Sequence, residues 1–256
     1  MSRRWESLKK TTRKRGYIGA TGYLASKALR LVRTGRLQPP NTIAANLELW
    51  SRYDWSMQGE EWNKDSEWRN SLVQHVLEPN IPIGSRVLEI GPGGGRWSEC
   101  LVKRAAHVTV VDLTPECIRL CKEKFRSLQN ISYFVNDGKD LSFIPPNSID
   151  RLWSFDVFVH IQSPDVEKYI AQISAILVTG GRGIIHHSAN GVNKTGWRSD
   201  MTAQSMIEMC KRYGLSVLQQ FDSWDGGRFC VSNDSLGRTT DVVTVFEKDL
   251  SDKHKN

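Results

Sequence analysis

The stretch "RVLEIGPGGGRW" (86–97) joins a short apolar run to a turn that holds glycines at 91, 93, 94 and 95. Glycine tolerates left-handed backbone and lets a ligand come close to the main chain. A dinucleotide fingerprint needs Gly-x-Gly-x-x-Gly, but counting from Gly91 puts Arg96 in the sixth place. The stretch therefore predicts a strand followed by a ligand-binding turn, and its glycine spacing argues against an oxidoreductase.

Apolar runs and helical periods alternate from this stretch to the C-terminal end of the sequence. Strands are predicted at 86–91, 107–112, 131–135, 148–159, 181–187, 215–221 and 240–248, with helices at 97–105, 115–125, 165–177 and 201–214. Such alternation predicts an α/β fold with a doubly wound, Rossmann-like, mostly parallel sheet. Ligands bind such sheets at the carboxyl ends of the strands.

Acidic residues stand at three places relative to these strands. Glu89 lies two residues before Gly91, Asp112 ends the second strand, and Asp137–Gly138 follows the third. This ordered set resembles the class I S-adenosylmethionine-dependent methyltransferases over roughly residues 80–250. The stretch "LVTGG" (177–181) is similar to the Leu-x-Pro-Gly-Gly turn of that family, with Thr179 in place of the proline. The last two strands, 215–221 and 240–248, look like the antiparallel pair of the family.

The resemblance implies S-adenosylmethionine as cofactor and assigns residues to its parts. Glu89, Gly91, Gly93 and Gly95 would line the methionine end, and Asp112 would hold the ribose. Leu113 and Asp137–Gly138 would border the adenine, while Phe155–Asp156 would close the pocket.

Charge is distributed unevenly along the chain. The net charge is +7, but residues 1–36 carry eleven Lys and Arg against the single acid Glu6. A solvated tail would have this composition, and so would a basic amphipathic segment that lies on an anionic membrane. The sequence thus divides into a basic arm and linker (1–40), a Trp-rich helical cap (41–80), a methyltransferase domain (81–250) and a tail (251–256).

The cap holds four of the nine tryptophans of the chain, at positions 50, 55, 62 and 68, interleaved with six acids. Indoles that pack on the core would explain the pattern. Aromatic faces beside carboxylates also suit polyhydroxylated or cationic ligands, so Trp55 and Trp62 are candidate substrate contacts.

The acceptor of the methyl group is the harder question. Methylases of base amino groups usually carry Asn/Asp-Pro-Pro-aromatic after strand four, where this chain has "SFDVFVHI" (154–161). The run 186–215, which begins "HHSANG", resembles bacterial methyltransferases of sugars and surface polysaccharides. The resemblance implies a sugar or glycan hydroxyl as acceptor. The missing base-methylase motif makes nucleic acid an unfavoured partner. The loop 188–200, with Trp197 and Arg198, is a candidate cover for this acceptor.

Three histidines are candidates for a general base that accepts the hydroxyl proton. His186 and His187 end a predicted strand at the ligand-binding edge, and strand alternation sends them to opposite faces. The polar loop beyond them favours His187 first and His186 second, with His160 third. Two satisfied polar residues at a strand end are the alternative. A Mg²⁺ site formed by Asp156 and His186 is a further alternative, although no HxH or HExxH spacing supports it.

The sequence predicts an O-methyltransferase that uses S-adenosylmethionine. The alternatives are a methylase of small-molecule amines or natural products, a methylase of RNA or protein guided by the basic arm, and a cofactor-binding module without turnover. No apolar run is long enough to span a bilayer, and five cysteines without a paired framework indicate reduced thiols. We therefore expect a cytoplasmic protein, with the arm as a means of peripheral attachment to the inner face of the membrane.

Overall fold

The computed structural model describes residues 41–191, 198–231 and 240–249. The basic arm, Trp197 and the tail 251–256 lie outside the described residues. No helix among the described residues is long and apolar enough to cross a membrane.

Nine strands and seven α-helices are found in the part of the chain that the structure describes. The strands are β1 (Arg86–Ile90), β2 (His107–Asp112), β3 (Ile131–Val135), β4 (Ile149–Phe158), β5 (Leu177–Ser188), β6 (Leu215–Phe221), β7 (Ser223–Trp224), β8 (Phe229–Cys230) and β9 (Asp241–Lys248). The helices are α1 (Ile43–Ser51), α2 (Ser66–Leu72), α3 (Glu78–Asn80), α4 (Ser98–Leu101), α5 (Pro115–Lys124), α6 (Ser163–Ile176) and α7 (Ala203–Arg212). A 3₁₀ turn (Glu60–Trp62) and a π-helical turn (Val73–Leu77) complete the cap.

Seven strands form one sheet in the order β3-β2-β1-β4-β5-β9-β6. The first five pair in parallel, and β9 runs antiparallel to both β5 and β6. The predicted fold class is therefore confirmed. The chain leaves β1 toward β2 on one side and later returns to β4 on the other, so the strand order reverses between β1 and β4. Loops diverge at such a point and leave a crevice at the carboxyl ends of the strands.

Apolar side chains cover both faces of this sheet. One cluster contains residues of α2, α4 and α5, and the other contains residues of α6 and α7. Because both faces are buried, the parallel strands are apolar at successive positions instead of alternating. The central strand β1 shows this, since Val87, Leu88 and Ile90 are all buried.

The sequence-based boundaries differ from the structure at two places. The stretch 177–181, expected as a turn, is the irregular start of β5: the pairing with β4 shifts between Ile149↔Leu177 and Arg151↔Arg182. Gly180 takes a left-handed φ of 73° within this irregularity. The hairpin of β7 and β8 was not predicted, because strands of two residues are too short to show a period.

Gly183 in β5 leaves the space that Phe246 of β9 fills. The two residues are paired across the strands, and a Cβ added at Gly183 would lie 2.2 Å from Cζ of the fully buried Phe246. We expect Gly183→Ala to lower the free energy of unfolding by about 2 kcal/mol, because this core has no room to expand. Urea denaturation measures the change. The double variant with Phe246→Leu should lose less than the sum of the two single variants, and a wild-type midpoint for Gly183→Ala would contradict the prediction.

Candidate functional site

One large cavity, of about 620 Å³, opens at the carboxyl ends of the parallel strands. Its walls come from the ends of β1, β2, β4 and β5, from the start of β9, and from the cap. Because β9 runs antiparallel to β5, its first residue lies at the same edge of the sheet as the last residues of β5.

The glycine-rich turn forms the floor of the cavity at the end of β1. Gly91, Gly93 and Gly94 line it. A Cβ added at Gly91 would lie 2.3 Å from the Val157 side chain, and Gly91 has a left-handed φ of 73°. Gly95, also expected at the methionine end, does not line the cavity and instead faces Phe125. The first part of the turn is thus the part that can approach a ligand.

Asp112 at the end of β2 is buried beside this turn. Its Oδ1 accepts hydrogen bonds from the N–H and hydroxyl of Thr114, at 2.8 and 2.9 Å, and its Oδ2 accepts one from the N–H of Gly93 at 3.3 Å. Burial raises the pKa of the carboxyl above its ordinary value. Asp112 lines the cavity and can accept hydrogen bonds from ligand hydroxyls, which fits the predicted ribose contact.

The residues that line the end of the cavity expected to hold adenine agree only in part with the prediction. Leu113, Asn136 and Gly138 line the cavity, whereas Asp137 does not. The carboxylate of Asp137 is exposed and accepts hydrogen bonds from the N–H groups of Lys139 and Asp140. The structure therefore places Gly138 at the cavity and the Asp137 side chain outside its lining, where it caps its own turn. The adenine contact predicted for Asp137–Gly138 stays a prediction.

Glu89 lies beneath the glycine-rich turn and does not line the cavity. Its carboxyl accepts a hydrogen bond from the Ser98 hydroxyl at 2.5 Å, and burial raises its pKa to about 7. Since Ser98 opens α4, Glu89 connects the strand before the turn to the helix after it. The structure thus gives Glu89 a supporting position, and a direct cofactor contact is not seen in the cavity lining.

All four tryptophans of the cap line the cavity. Trp50, Trp55 and Trp62 pack with Tyr53 into a group whose ring centroids lie 5.0 to 6.1 Å apart. Trp55 stands over the glycine-rich turn, where a Cβ added at Gly93 would come within 2.7 Å of its ring. Trp55 and Trp62 therefore both line the cavity, with Trp55 over the turn expected to bind the cofactor. Their contact with a substrate stays a prediction.

The six acids of the cap do not share this position. Glu48, Asp54, Glu60, Glu61, Asp65 and Glu67 are all absent from the cavity lining. Instead, Glu61 accepts from the Tyr53 hydroxyl at 2.7 Å, Asp65 caps α2, and Glu67 pairs with Arg228. The expected mixture of tryptophans and cap carboxylates therefore does not form, because these acids serve the local structure of the cap.

A row of charged side chains crosses the far end of the cavity, at the ends of β4 and β5. Arg96 Nη2 lies 2.5 Å from Oδ2 of Asp156, and Asp156 Oδ1 lies 3.1 Å from Nδ1 of His186. On the other side of the ring, Nε2 of His186 lies 3.7 Å from Oδ2 of Asp241, which also pairs with Arg198. We call these five residues the charged row.

Asp156 takes a left-handed backbone conformation, with a φ of 65°, inside β4. Non-glycine residues pay strain for this conformation, and such strain often marks functional sites. The neighbouring Phe155 lines the cavity, and its ring stacks on His186 at 4.3 Å. Hydrogen bonding to His186 and the charge of Arg96 hold the pKa of Asp156 well below its ordinary value in spite of burial.

His187, the first choice from sequence, faces away from the cavity. It is fully buried; Nδ1 contacts the Ser188 carbonyl at 2.8 Å and Nε2 contacts the Thr244 hydroxyl at 2.7 Å. The expectation that His187 reaches the cleft is wrong. Strand alternation correctly separated the two histidines, but it is His186 that lines the cavity.

Burial lowers the pKa of His187 to about 4, from 6.5. Its folded pKa lies below its unfolded one, so its contribution to stability is complete above pH 6.5 and is lost as pH falls toward 4. We expect a loss of about 3 kcal/mol over this window. Glu89 acts with the opposite sign, because its raised pKa stabilises the fold as pH falls below 7.

The measurement is therefore a comparison between the wild-type protein and His187→Gln at pH 7, 6, 5 and 4 by urea denaturation. The variant removes the histidine contribution and keeps that of Glu89. The difference between the two proteins should shrink as the pH falls. A difference in free energy of unfolding that stays constant from pH 7 to pH 4 would contradict the lowered pKa of His187.

The remaining predicted contacts lie in the cavity or outside the described residues. His160 lines the cavity, with its ring edge-on to Trp50 at 5.3 Å, and its carbonyl accepts a hydrogen bond from Asn46. Arg198 lines the cavity, while Trp197 lies outside the described residues. Among residues 41–191, 198–231 and 240–249, no three His, Cys, Asp or Glu side chains cluster in a way that would hold a metal ion.

Two members of the charged row were not singled out as site candidates from sequence. Asp241 was only the second residue of a predicted strand (240–248), and Arg96 drew notice for standing where a dinucleotide motif has glycine. The signal for Asp241 is an acid at the start of an otherwise apolar strand.

Comparisons with known proteins agree with this geometry. Residues 87–181 match a family model described as a methyltransferase domain. A ubiquinone biosynthesis O-methyltransferase of Xylella fastidiosa (strain 9a5c) is 32% identical over 115 residues, which are 44% of this chain and 46% of that protein. The chain thus matches about half the length of this relative.

Two solved structures share the fold. The N-methyltransferase NodS from Bradyrhizobium japonicum WM9, in complex with S-adenosyl-L-homocysteine, superposes with a TM-score of 0.62 at 16% identity and covers 80% of this chain and 98% of NodS. An S-adenosylmethionine-dependent methyltransferase from Mesorhizobium loti gives a TM-score of 0.58 at 15% identity, over 73% of this chain and 99% of that one. Residues 87–181 therefore match a methyltransferase domain, and the chain shares the fold of S-adenosylmethionine-dependent methyltransferases.

Proposed function

We propose that this protein transfers a methyl group from S-adenosylmethionine to a hydroxyl oxygen of an acceptor. The observation that carries the proposal is the continuous cavity that joins the glycine-rich turn and Asp112 to the charged row around His186. The relative named as an O-methyltransferase supports oxygen as the receiving atom.

The residues at the first half of the cavity fit the cofactor. Gly91 and Gly93 leave space that a side chain would fill, Asp112 offers a carboxylate to ribose hydroxyls, and Leu113 with Gly138 forms an apolar slot. When bound, S-adenosylmethionine supplies a methyl group activated by its sulfonium. The residues of the chain then have to position the acceptor, exclude water and receive its proton.

The second half of the cavity offers an aromatic wall and the imidazole of His186. Trp50, Trp62 and Trp68 line this half, and they suit a flat or ring-shaped acceptor. His186 replaces His187 as the histidine in contact with the acceptor. A histidine general base remains a prediction.

The class of acceptor is the finer part of the proposal. A sugar or glycan hydroxyl, expected from sequence, has support from the tryptophan wall but not from the cap acids, which serve the cap itself. The name of the relative points instead to a hydroxylated precursor of a quinone. Amines, RNA and protein are the other classes that the test must separate.

The experiment uses S-adenosylmethionine labelled in its methyl group, the purified protein, and an extract of cells that lack this gene. Products are separated into glycan, lipid and quinone, small-molecule, nucleic-acid and protein pools, with and without magnesium. Label that leaves the products only on ether cleavage supports O-methylation, and its pool identifies the acceptor class. Cofactor binding without label in any pool would contradict the proposal and favour a binding module.

We also propose that the basic arm attaches the protein to an anionic membrane surface. The support is its charge, since residues 1–36 sum to +10 while the rest of the chain sums to −3. The full chain should sediment with vesicles that contain phosphatidylserine and not with neutral phosphatidylcholine vesicles, and added salt should release it. Binding to RNA in place of vesicles would contradict the membrane proposal and favour the RNA alternative.

A further inference from the structure

The charged row contains two groups that face each other without a hydrogen bond. They are Nε2 of His186 and Oδ2 of Asp241, 3.7 Å apart at the far end of the cavity. A catalytic role for this pair rests on the proposed function, because it concerns the proton that the acceptor hydroxyl must lose.

The backbone decides which nitrogen of His186 carries the proton. The N–H of Asp156 donates to Nδ1 at 3.1 Å, so a lone pair must be present on that nitrogen when the ring is neutral. Oδ1 of Asp156 competes with this N–H for Nδ1, because it also lies 3.1 Å away and favours a proton there. Where the backbone hydrogen bond is formed, the proton of the neutral ring is on Nε2. If the ring is protonated on both nitrogens, Nδ1 can turn to the Asp156 carboxylate at 3.1 Å, and Nε2 still carries its proton. In both states Nε2 is a donor.

This donor is buried and has no hydrogen-bond partner among the residues that the structure describes. The His186 side chain is 3% exposed, and its ring is clamped by Phe155 on one face. A buried donor without a partner costs roughly 1–3 kcal/mol, so a ligand atom that accepts from Nε2 recovers this cost on binding.

Asp241 supplies the complementary group. His186 pairs with Val243 across the strands, so Asp241, two residues earlier in β9, is its diagonal neighbour on the same face. Asp241 is 1% exposed and lines the cavity, and Arg198 pairs with its Oδ1. The pairing stabilises the ionised carboxylate in its buried position. Oδ2 faces Nε2 and accepts a hydrogen bond from the Thr240 hydroxyl at 3.4 Å, which leaves it a further lone pair.

A single hydroxyl group matches this pair. Two atoms 3.7 Å apart are too distant to bond to each other, but one oxygen can lie within about 2.8 Å of both. That oxygen would accept from Nε2–H and donate its own proton to Oδ2. Asp156 does not offer such a place, because its Oδ1 lies only 3.1 Å from Nδ1 of His186, which leaves no room for an oxygen between them, and Arg96 engages its Oδ2.

We propose that Asp241, and not a histidine, receives the proton of the acceptor hydroxyl, and that His186 holds the acceptor oxygen through Nε2–H. The oxygen forms its bond to the methyl carbon as the carbon–sulfur bond breaks, the electrons of that bond stay on sulfur, and the hydroxyl proton passes to Oδ2 of Asp241. Asp241 then releases the proton to solvent once the product has left the cavity.

The tautomer of His186 is the first test, and it needs no acceptor. The full chain is prepared with ¹⁵N-labelled histidine, and the ring nitrogens are read by long-range ¹H–¹⁵N correlation. The spectrum of His186→Gln identifies the signal of His186. We expect a protonated Nε2 throughout, with Nδ1 unprotonated when the ring is neutral. A neutral ring with its proton on Nδ1 would overturn the proposal.

The second test compares variants in the labelled-methyl assay. Asp241→Asn should lower the rate at least 100-fold while the affinity for S-adenosylmethionine, measured by calorimetry, stays as in the wild type. His186→Gln keeps an N–H donor but cannot act as a base, so it should lower the rate no more than about tenfold. The matched control is Glu247→Gln, which lies on the same strand in a partly exposed pair with Arg182.

The dependence of the rate on pH separates a base from a structural residue. Without its base, Asp241→Asn needs an acceptor ionised in solution, so its residual rate should rise about tenfold per pH unit while the hydroxyl remains mostly protonated. An inactive His186→Gln beside an active Asp241→Asn would overturn the proposal and restore the histidine base. If the wild type transfers no label, the proposed function itself fails, whereas the tautomer measurement reports on His186 independently.

Discussion

Replacing Asp112 with alanine is expected to weaken the binding of S-adenosylmethionine by about 100-fold, measured by calorimetry. Hydrogen bonds to a charged group contribute about 1.5–3 kcal/mol each, and a ribose presents two hydroxyls to this carboxylate. The side chain also holds the N–H of Gly93 and the start of α5 through Thr114, so the variant loosens the floor of the cavity as well. Thermal unfolding of the variant shows whether the fold is retained.

The matched control is Asp137→Ala. Asp137 lies in the neighbouring loop and carries the same charge, but its side chain is exposed and points away from the cavity. Its removal should change the affinity less than about threefold, as is usual for an exposed charge. Equal losses for the two variants would indicate a general effect of charge, and the assignment of Asp112 to the ribose would then fail.

The two aspartates also show what could be predicted from sequence. Asp112 ends an apolar strand of a parallel sheet, and this local position alone puts its side chain at the ligand-binding edge. The role of the glycines could also be predicted from the local sequence, because a turn with no space for a Cβ requires glycine in any fold. Asp137 stands in a loop, and loop residues turn toward whichever partner their own backbone offers, here the N–H groups of Lys139 and Asp140.

The histidines mark the limit of strand-based prediction. Alternation shows that His186 and His187 face opposite sides, but the phase of β5 depends on its pairing with β4. That pairing is irregular at both ends, with shifts after Ile149 and again after Ser154. An irregular register reverses which side chain faces the cavity, and no local pattern in the sequence indicates it.

Strand alternation could not place Asp241 beside His186, because the position of Asp241 depends on pairing between distant parts of the chain. It reaches His186 only because β9 inserts between β5 and β6, 55 residues after His186 in the sequence. The acids of the cap show the opposite error, in which residues that are neighbours in sequence do not share a site in the structure. They are close to the tryptophans in sequence, yet none lines the cavity. Three pair with Arg52, Arg69 and Arg228, one caps α2, and the other two accept hydrogen bonds from Tyr53 and Ser56.

Replacing Arg96 with methionine is expected to lower the free energy of unfolding by about 3 kcal/mol. Removing one partner of a buried pair costs about 3–5 kcal/mol, and the partial exposure of Asp156, at 30%, places the effect at the low end. Methionine keeps an apolar stem beside Trp97, on which the Arg96 guanidinium lies at 4.6 Å. The change therefore removes mainly the charge that compensates Asp156.

Arg86→Met is the matched control, because Arg86 pairs with Asp150 at 2.8 Å on the surface. An exposed pair contributes less than about 1 kcal/mol, so this variant should unfold close to the wild type. The double variant Arg96→Met with Asp156→Asn should recover part of the loss, since no uncompensated carboxylate remains.

The pH dependence of the free energy of unfolding tests the same assignment. In the wild type the pKa of Asp156 lies below its unfolded value of 3.8, so its stabilising contribution is present above that pH and is lost as the pH falls further. Arg96→Met removes this contribution. The difference in free energy of unfolding between the variant and the wild type should therefore narrow as the pH falls below about 4. A gap that is constant with pH, or equal losses for Arg86→Met and Arg96→Met, would show that Arg96 acts through packing alone. The charged row would then lose the group that fixes Asp156 against His186.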